Sequence, residues 1–386
     1  MIPIVDRSRI EALAPIWRMP FRPFFWGAAA WSLLVLLAWQ AQLSGWALPG
    51  LRGGITWHAH EMLFGFAAAV VVGFLGTAMQ TWTGIPSPHG RQLQLLVGLW
   101  LLARIGYLFA AIPLWLPLGA ETGFFLLAAV LLGRRVMVAR QWRNAFVLPA
   151  LLALAGLALY HWLVPARQGH AALLTLLLMT GLILVIGGRV IPFFTARRFH
   201  LAQRDKLAAV EYGTHGVLVA LLLAFAFGLP DMLLALLAFI LGALQLVRAL
   251  RWHPGAIWRE PLVWSLHISY WFVILGLFLL ACWWSGIAPA WRSGAVHALA
   301  VGGIGGLILA MISRVSLGHT GRLLAVPPLM PLAFAALSFS ALARVFWAPA
   351  PAGFLAAVAA WVVGYGLFLV YYTPVLFRAR PDGHPG

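Results

Sequence analysis

The densest group of potential metal ligands in the sequence is the run Trp57-His58-Ala59-His60-Glu61-Met62. Two imidazoles and one carboxylate this close together are side chains of the type that bind copper, iron or zinc. On a helix, His58 and Glu61 would share a face while His60 points away, whereas an extended backbone would bring the two histidines together. The alternative is a solvated helix start, at which Glu61 complements the helix dipole.

Three further histidines are candidate ligands. His297 opens an apolar segment and precedes four glycines, which would let helices pack closely or leave room for a planar cofactor. His319 lies between Arg314 and Arg322, an arrangement that suits an anion such as a haem propionate, although an ordinary positively charged loop would look the same. His267 lies about two turns into another apolar segment.

Arg189 follows two glycines near the end of an apolar segment. A long arginine side chain there either reaches back to the membrane surface or pairs with a buried anion, and the glycines would let that partner approach. By contrast, His253 is predicted to be an ordinary loop histidine.

The composition determines which elements must carry these side chains. Hydrophobic residues make up 63% of the 386 residues and charged residues only 9%, whereas a soluble domain usually has about a quarter charged. The chain is therefore predicted to be an all-α integral membrane protein. Its net charge of +17 lies mostly in short loops, which favours membrane orientation over nucleic-acid binding. The single cysteine, Cys282, excludes a disulfide framework and a cysteine-based metal site within one chain.

Apolar stretches of about 20 residues predict a bundle of about twelve transmembrane helices. We expect a cytoplasmic N-terminal segment (1–22), one helical bundle (23–376) and a cytoplasmic tail (377–386). The predicted spans are Pro23–Leu43, His58–Trp82, Gln92–Ile112, Thr122–Val138, Ala145–Val164, Ala171–Phe194, Glu211–Leu229, Met232–Leu250, Pro261–Trp284, Gly294–Val315, Pro331–Phe346 and Gly353–Leu376.

The loop charges predict the orientation of the bundle. Twenty Lys and Arg residues fall in the termini and the even-numbered loops, against three in the odd-numbered loops, which places both termini in the cytoplasm. This orientation puts His58, His60 and His297 on the periplasmic side. It puts His267 and His319 on the cytoplasmic side, so two separate ligand clusters are predicted.

Several motifs together resemble the NnrS family, in the same order and over almost the whole chain. They are Phe21-Arg22-Pro23-Phe24-Phe25, the run from Trp57 to Phe66, Trp82-Thr83-Gly84, the run from Gly187 to Thr195, Leu266-His267 with Tyr270, His297-Ala298-Leu299, and the run from Arg314 to Arg322.

The resemblance implies a bacterial inner-membrane protein that contains haem and copper, acts in nitric oxide metabolism or nitrosative-stress resistance, and is found alongside denitrification. No CxxCH motif is present, so any haem is expected to be a non-covalent haem b. If the protein is an enzyme, we expect a membrane oxidoreductase acting on nitric oxide, with electrons from quinol or a partner redox protein. The predicted metal ligands are His58, His60, Glu61, His267, His297 and His319, and the predicted cofactor-binding residues are Arg189, Arg314 and Arg322.

Two other functions are compatible with a twelve-helix bundle. A secondary transporter usually has this number of spans, but a proton-coupled carrier normally keeps a carboxylate deep in the membrane. Here Glu61, Glu121, Glu211, Asp231 and Glu260 are all expected at span ends, which disfavours a carrier. The second alternative is a sensor of nitric oxide or metal without catalytic turnover.

Overall fold

The computed structural model describes residues 10–46, 48–252, 255–347 and 350–384, and these residues form an all-helical protein. Eleven of the described helices are long and apolar enough to cross a membrane. The predicted class, a polytopic helical membrane protein, is therefore confirmed. The orientation of the termini stays a prediction, and His253 lies outside the described residues.

We number the helices of the bundle in chain order. They are α1 (Phe21–Leu43), α2 (Gly54–Thr83), α3 (Arg91–Leu108), α4 (Trp115–Val138), α5 (Val147–Leu163), α6 (Gln168–Arg198), α7 (Ala208–Ala226), α8 (Asp231–Trp252), α9 (Pro261–Trp284), α10 (Pro289–His319), α11 (Met330–Trp347) and α12 (Pro351–Phe377).

Helix α3 is the one that falls outside the eleven candidate spans. It has 18 residues and includes Arg91 and Arg104. An arginine inside so short an apolar helix needs a buried partner, because an unpaired charge is expensive in a membrane. The structure supplies such partners for Arg104.

Helices α2 and α4 begin earlier than predicted. Helix α2 starts at Gly54 rather than His58, and α4 starts at Trp115 rather than Thr122. Glu61 and Glu121 consequently lie inside helices and are buried, so their expected position at span ends was wrong. A π-helical turn, Glu61–Ala67, follows His60 directly in α2. Such turns occur frequently at functional sites.

The chain divides into two compact units. The first contains Met1–Thr175, Ile312–Ala325 and Phe368–Gly386, and the second contains Leu176–Met311 and Val326–Leu367. Each is described by itself below.

In the second unit, the glycines after His297 pack closely against α9, as predicted. A Cβ atom at Gly302 would lie 2.3 Å from Phe272 Cγ, and one at Gly306 would lie 2.2 Å from Ser269 Oγ. Side chains of α9 therefore fill the space beside these two glycines.

Candidate functional site

The first unit contains a cluster of buried polar side chains, which we call the His60 cluster. Helix α2 contributes two of its residues, α3 contributes two and α4 contributes one, and each is at most 1% exposed. Its members are His60, Glu61, Arg104, Tyr107 and Glu121.

The two carboxylates of the His60 cluster are each bound by the same guanidinium and the same imidazole. Arg104 Nη1 donates to Glu61 Oε2 at 2.7 Å, and Arg104 Nη2 donates to Glu121 Oε1. His60 Nδ1 lies 2.9 Å from Glu61 Oε1, and His60 Nε2 lies 3.0 Å from Glu121 Oε2. Two negative groups thus face one permanent cation and one titratable ring, and the cluster is electrically neutral when His60 is protonated.

Two further donors complete the carboxylate hydrogen bonds. Trp31 Nε1 donates to Glu61 Oε2 at 2.7 Å, and the Tyr107 hydroxyl donates to Glu121 Oε2 at 3.2 Å. Buried ions are tolerated only when their hydrogen-bonding capacity is met in this way. The network joins α2, α3 and α4 through side-chain hydrogen bonds.

His161 of α5 lies beside the His60 cluster and differs from the cluster's side chains in its hydrogen bonding. Its side chain is 0% exposed, its ring centroid is 5.0 Å from that of His60, and neither ring nitrogen has a hydrogen-bond partner of ordinary geometry among the described residues. The backbone of Thr56 is near the ring, but it does not meet that geometry. Buried polar atoms without partners are rare and commonly mark a ligand, an ion or a catalytic role.

Trp162 packs next to His161. Its ring stacks on Tyr107 with centroids 5.0 Å apart and an interplanar angle of 11°. Its ring also lies 5.1 Å from that of His60. Aromatic side chains therefore form one wall of the space in which the two imidazoles meet.

The structure corrects the expected orientation of His60 on α2. His58 is half-buried and stacks on Trp39 of α1, with ring centroids 5.5 Å apart, and Glu61 also contacts α1, through Trp31. His60, expected to point away, joins Glu61 instead. The position of His60 depends on Arg104 and Glu121. These two residues belong to other helices, so the residue spacing around His60 does not predict their contacts.

The other predicted residues of the first unit lie at the end of α10. The ring of His319 is 5.7 Å from that of Phe21, and its carbonyl accepts a hydrogen bond from Arg380 Nη1 at 2.9 Å. Arg314 is buried, at 6% exposure, whereas Arg322 is half-buried and donates to Thr320 O at 3.3 Å.

The remaining predicted residues belong to the second unit. His267 is buried, and its Nε2 lies 3.0 Å from Thr195 Oγ1, while His297 Nδ1 lies 2.8 Å from Ser293 O. Arg189 is half-buried. The side chain that packs against the adjacent Gly188 is the guanidinium of Arg248.

Among the residues that the structure describes, no group of three or more His, Cys, Asp or Glu side chains is arranged to hold a metal ion. The predicted ligands His58, His60 and Glu61 belong to the first unit together with His319, whereas His267 and His297 belong to the second. Their roles as metal ligands, and their grouping into a periplasmic and a cytoplasmic cluster, stay predictions.

Sequence reasoning did not select Arg104, Glu121 or His161. The sequence carried a signal for the first two. Arg104 is a charge within an apolar segment, which requires a partner, and Glu121 is one of only nine acidic residues in the chain. His161 lies near the end of an apolar helix, where placing a histidine ordinarily costs little free energy. Only its burial in the structure therefore identifies it as a candidate.

A comparison with protein-family models matches residues 15–380 to the family described as NnrS protein. The chain belongs to the NnrS family. No curated protein shows a significant match. Membership of the NnrS family supports a role in the nitric oxide response, and it agrees with the resemblance seen in the motifs. The His60 cluster includes two residues of the NnrS-like run from Trp57 to Phe66, namely His60 and Glu61.

Proposed function

We propose that this NnrS-family protein acts in the nitric oxide response by binding haem b and copper through histidines, and that His161 and His60 are among those histidines. The observation that supports the proposal is His161, a fully buried imidazole whose two ring nitrogens have no hydrogen-bond partner among the described residues. A buried imidazole of this kind costs free energy unless something binds it.

The donor chemistry of His161 suits the cofactors that the family implies. Haem iron requires one or two axial imidazoles, and copper accepts imidazole readily. A copper ion bound by three or more of the described His, Cys, Asp or Glu side chains does not fit their present arrangement. The site does meet the requirement of haem iron for one or two imidazoles. It offers a single imidazole, with the ring of a second one 5.0 Å away.

The protein's own residues would orient and insulate such a site. Hydrogen bonds to both carboxylates fix the ring of His60 and occupy both of its nitrogens. To bind a metal, His60 would release one carboxylate, and the carboxylate that remains would orient the ring, as is common for metal ligands. Arg104 binds both carboxylates and offsets one of their two negative charges. Arg189, Arg314 and Arg322 are proposed to bind cofactor carboxylates.

A bound haem or copper would supply the one-electron chemistry that conversion of nitric oxide requires. If the protein turns nitric oxide over, its electrons come from quinol or a partner redox protein. If it does not, the same site binds nitric oxide as a sensor. The predicted location is the bacterial inner membrane, with both termini in the cytoplasm.

The buried carboxylates favour a second candidate function. The absence of deep acidic residues was the argument against a proton-coupled transporter, and Glu61 and Glu121 remove it because both are buried. Intramembrane carboxylates paired with histidine and arginine are characteristic of proton relays and ion pathways. We keep transport as the alternative on this observation.

The decisive experiment is to purify the full chain in detergent, record reduced-minus-oxidised absorbance spectra, and measure copper by mass spectrometry. We expect a b-type haem spectrum and bound copper, with His161→Ala and His60→Ala each losing one of them. His215→Ala is the matched control, because His215 is an exposed helical histidine. A colourless, copper-free protein would overturn metal binding.

The same preparation distinguishes a transporter from a metal-binding protein. Reconstituted into vesicles with an internal pH dye, a transporter would move protons with its substrate although it holds neither haem nor copper, and Glu121→Gln would abolish that movement. The ligand test is completed by alanine substitutions at His58, His267, His297 and His319. If these residues are ligands, each substitution should cause a loss of haem or copper.

A further inference from the structure

Arg22, within the motif Phe21-Arg22-Pro23-Phe24-Phe25, has a buried guanidinium with unfilled hydrogen bonds. The side chain is 0% exposed. Its Nη1 donates to Leu376 O at 2.7 Å and to Arg378 O at 2.9 Å, at the end of α12. Its Nε and Nη2 are buried and have no hydrogen-bond partner in the part of the chain that the structure describes.

Arg248 of the second unit shows what the Nε and Nη2 groups of a buried guanidinium bind elsewhere in this protein. These two groups form one edge of the guanidinium. Arg248 Nε and Nη2 donate to the two carboxylate oxygens of Glu211 at 3.0 and 2.6 Å, while Nη1 donates to Leu184 O at 3.1 Å. Arg22 has the same division of donors, with Nη1 on backbone carbonyls and the Nε–Nη2 edge turned elsewhere. At Arg22, however, none of the described residues places an anion against this edge.

No described side chain supplies that anion. The charged groups that act electrostatically on Arg22 are all positive, namely Arg18, Arg322 and Arg380. The nearby carboxylate of Asp382 is engaged by Arg380, which donates to it at 2.9 and 2.5 Å and lowers the pKa of that carboxyl. Among the described residues, no salt bridge to Arg22 forms, and a buried guanidinium without an anion is strongly unfavourable.

The position of the site indicates which kind of anion would reach it. Arg22 lies at the start of α1, and its neighbours follow the ends of α10 and α12, so these helix ends meet at one face of the first unit. Arg18, Arg322 and Arg380 are half-buried and act electrostatically on Arg22. Helix ends coincide with the headgroup region of a bilayer, where phosphates are abundant.

We propose that Arg22 binds a phosphate group through Nε and Nη2, with Arg18 and Arg322 providing the surrounding positive charge. Two parallel N–H groups match two oxygens of a phosphate. The phosphate comes from an anionic phospholipid headgroup or from a soluble phosphate compound. This site shares no residue with the His60 cluster, and Arg322 is the one residue that it has in common with the cofactor-binding residues proposed above.

The test uses the full chain in detergent with three additions at matched ionic strength: phosphatidylglycerol, phosphatidylcholine and inorganic phosphate. We expect phosphatidylglycerol to raise the thermal midpoint of the wild type and phosphatidylcholine to leave it unchanged. Inorganic phosphate acting as well as the lipid would identify a soluble source, whereas an effect of the lipid alone would identify a headgroup. Both results support the proposal.

Variants then locate the effect. Arg22→Gln should weaken the apparent affinity for the phosphate about tenfold or more, since it removes charge-assisted hydrogen bonds. Arg22→Lys should retain part of the response, because it keeps the charge without the paired donors. Arg135→Gln is the matched control, because Arg135 also donates to backbone carbonyls, those of Pro86 and Leu131, and should respond as the wild type does.

Several results would overturn the proposal. One is a wild-type midpoint that neither phosphatidylglycerol nor phosphate raises, a result that needs no variant to fold. Another is an Arg22→Gln protein that responds as the wild type does. A third concerns Asp6, an acidic residue that precedes Arg22 in the chain. If Asp6→Asn lost the phosphate response as Arg22→Gln does, the anion for Arg22 would be the carboxylate of Asp6. Loss of haem from Arg22→Gln with an intact lipid response would assign Arg22 to a cofactor carboxylate instead.

Discussion

His60 Nε2 lies 3.0 Å from Glu121 Oε2, although the two residues are 61 positions apart in the chain. The contact joins α2 to α4, and Arg104 of α3 binds the same carboxylate. Since all three side chains are excluded from solvent, each depends on the others for its hydrogen bonds. Removing one partner from such a cluster therefore costs more than the loss of one surface ion pair would.

Replacing Arg104 by methionine should destabilise the protein by about 3–5 kcal/mol, because it leaves two carboxylates buried with one imidazole between them. Chemical or thermal unfolding in detergent measures the change. Arg167→Met is the control, because Arg167 is exposed and its replacement should change the free energy of unfolding by less than about 0.5 kcal/mol. An equal effect of the two substitutions would show that the cluster adds nothing to stability.

His60 and His161 should respond differently to leucine. His161 makes no hydrogen bond of ordinary geometry with a described residue, so His161→Leu should leave the stability of the metal-free protein unchanged or raise it by about 1 kcal/mol. His60→Leu removes the partner of both carboxylates and should cost roughly 2–5 kcal/mol. Unfolding of protein treated with a chelator, together with copper and haem content, separates structural from ligand roles. A metal-free His161→Leu protein as unstable as His60→Leu would contradict this assignment.

Gly65 provides a test of how tightly the π-helical turn packs against the His60 cluster. A Cβ atom at this position would lie 2.6 Å from Trp31 Nε1 and 2.8 Å from Arg104 Nη1. Gly65→Ala should therefore destabilise the protein by about 1–3 kcal/mol through overpacking. Gly98→Ala is the control, since no atom lies within 4 Å of a Cβ there, and it should be neutral or stabilising. Similar unfolding midpoints for the two variants would refute the tight packing.

In the second unit, Gly302→Ala should cost a similar amount, about 1–3 kcal/mol, because the new methyl group would overlap Phe272. Gly366→Ala places the same methyl group where nothing lies within 4 Å. The difference between their unfolding midpoints measures the packing of α10 on α9. A double variant with Phe272→Ala should recover part of the loss, and its failure to do so would place the strain elsewhere.

The orientation predicted from loop charges can be tested with reporters. A green fluorescent protein fused after the C-terminus should fluoresce, since it folds in the cytoplasm, and alkaline phosphatase at the same place should be inactive. The reverse pattern would show that the charge asymmetry had been misread.

Some features of this protein followed from the sequence because they depend on local composition. The apolar runs and the placement of arginines predicted an all-helical membrane protein, and the run from Trp57 to Met62 directed attention to His60 and Glu61. The helix boundaries were less accurate. Helix α4 begins seven residues before the predicted Thr122, since turn signals such as Pro117 and Gly119 are accommodated inside it.

Other features were decided only by the tertiary structure. The local spacing around His60 favoured His58 as the partner of Glu61, but Arg104 and Glu121, on two other helices, turn His60 inward. The isolation of His161 and the unfilled edge of Arg22 are likewise invisible in the sequence. Hydropathy and periodicity describe each helix alone, whereas the partners of a buried charge are chosen by how the helices pack. For this reason, the chain's membrane class is readable from its sequence, and the environment of each buried polar group is not.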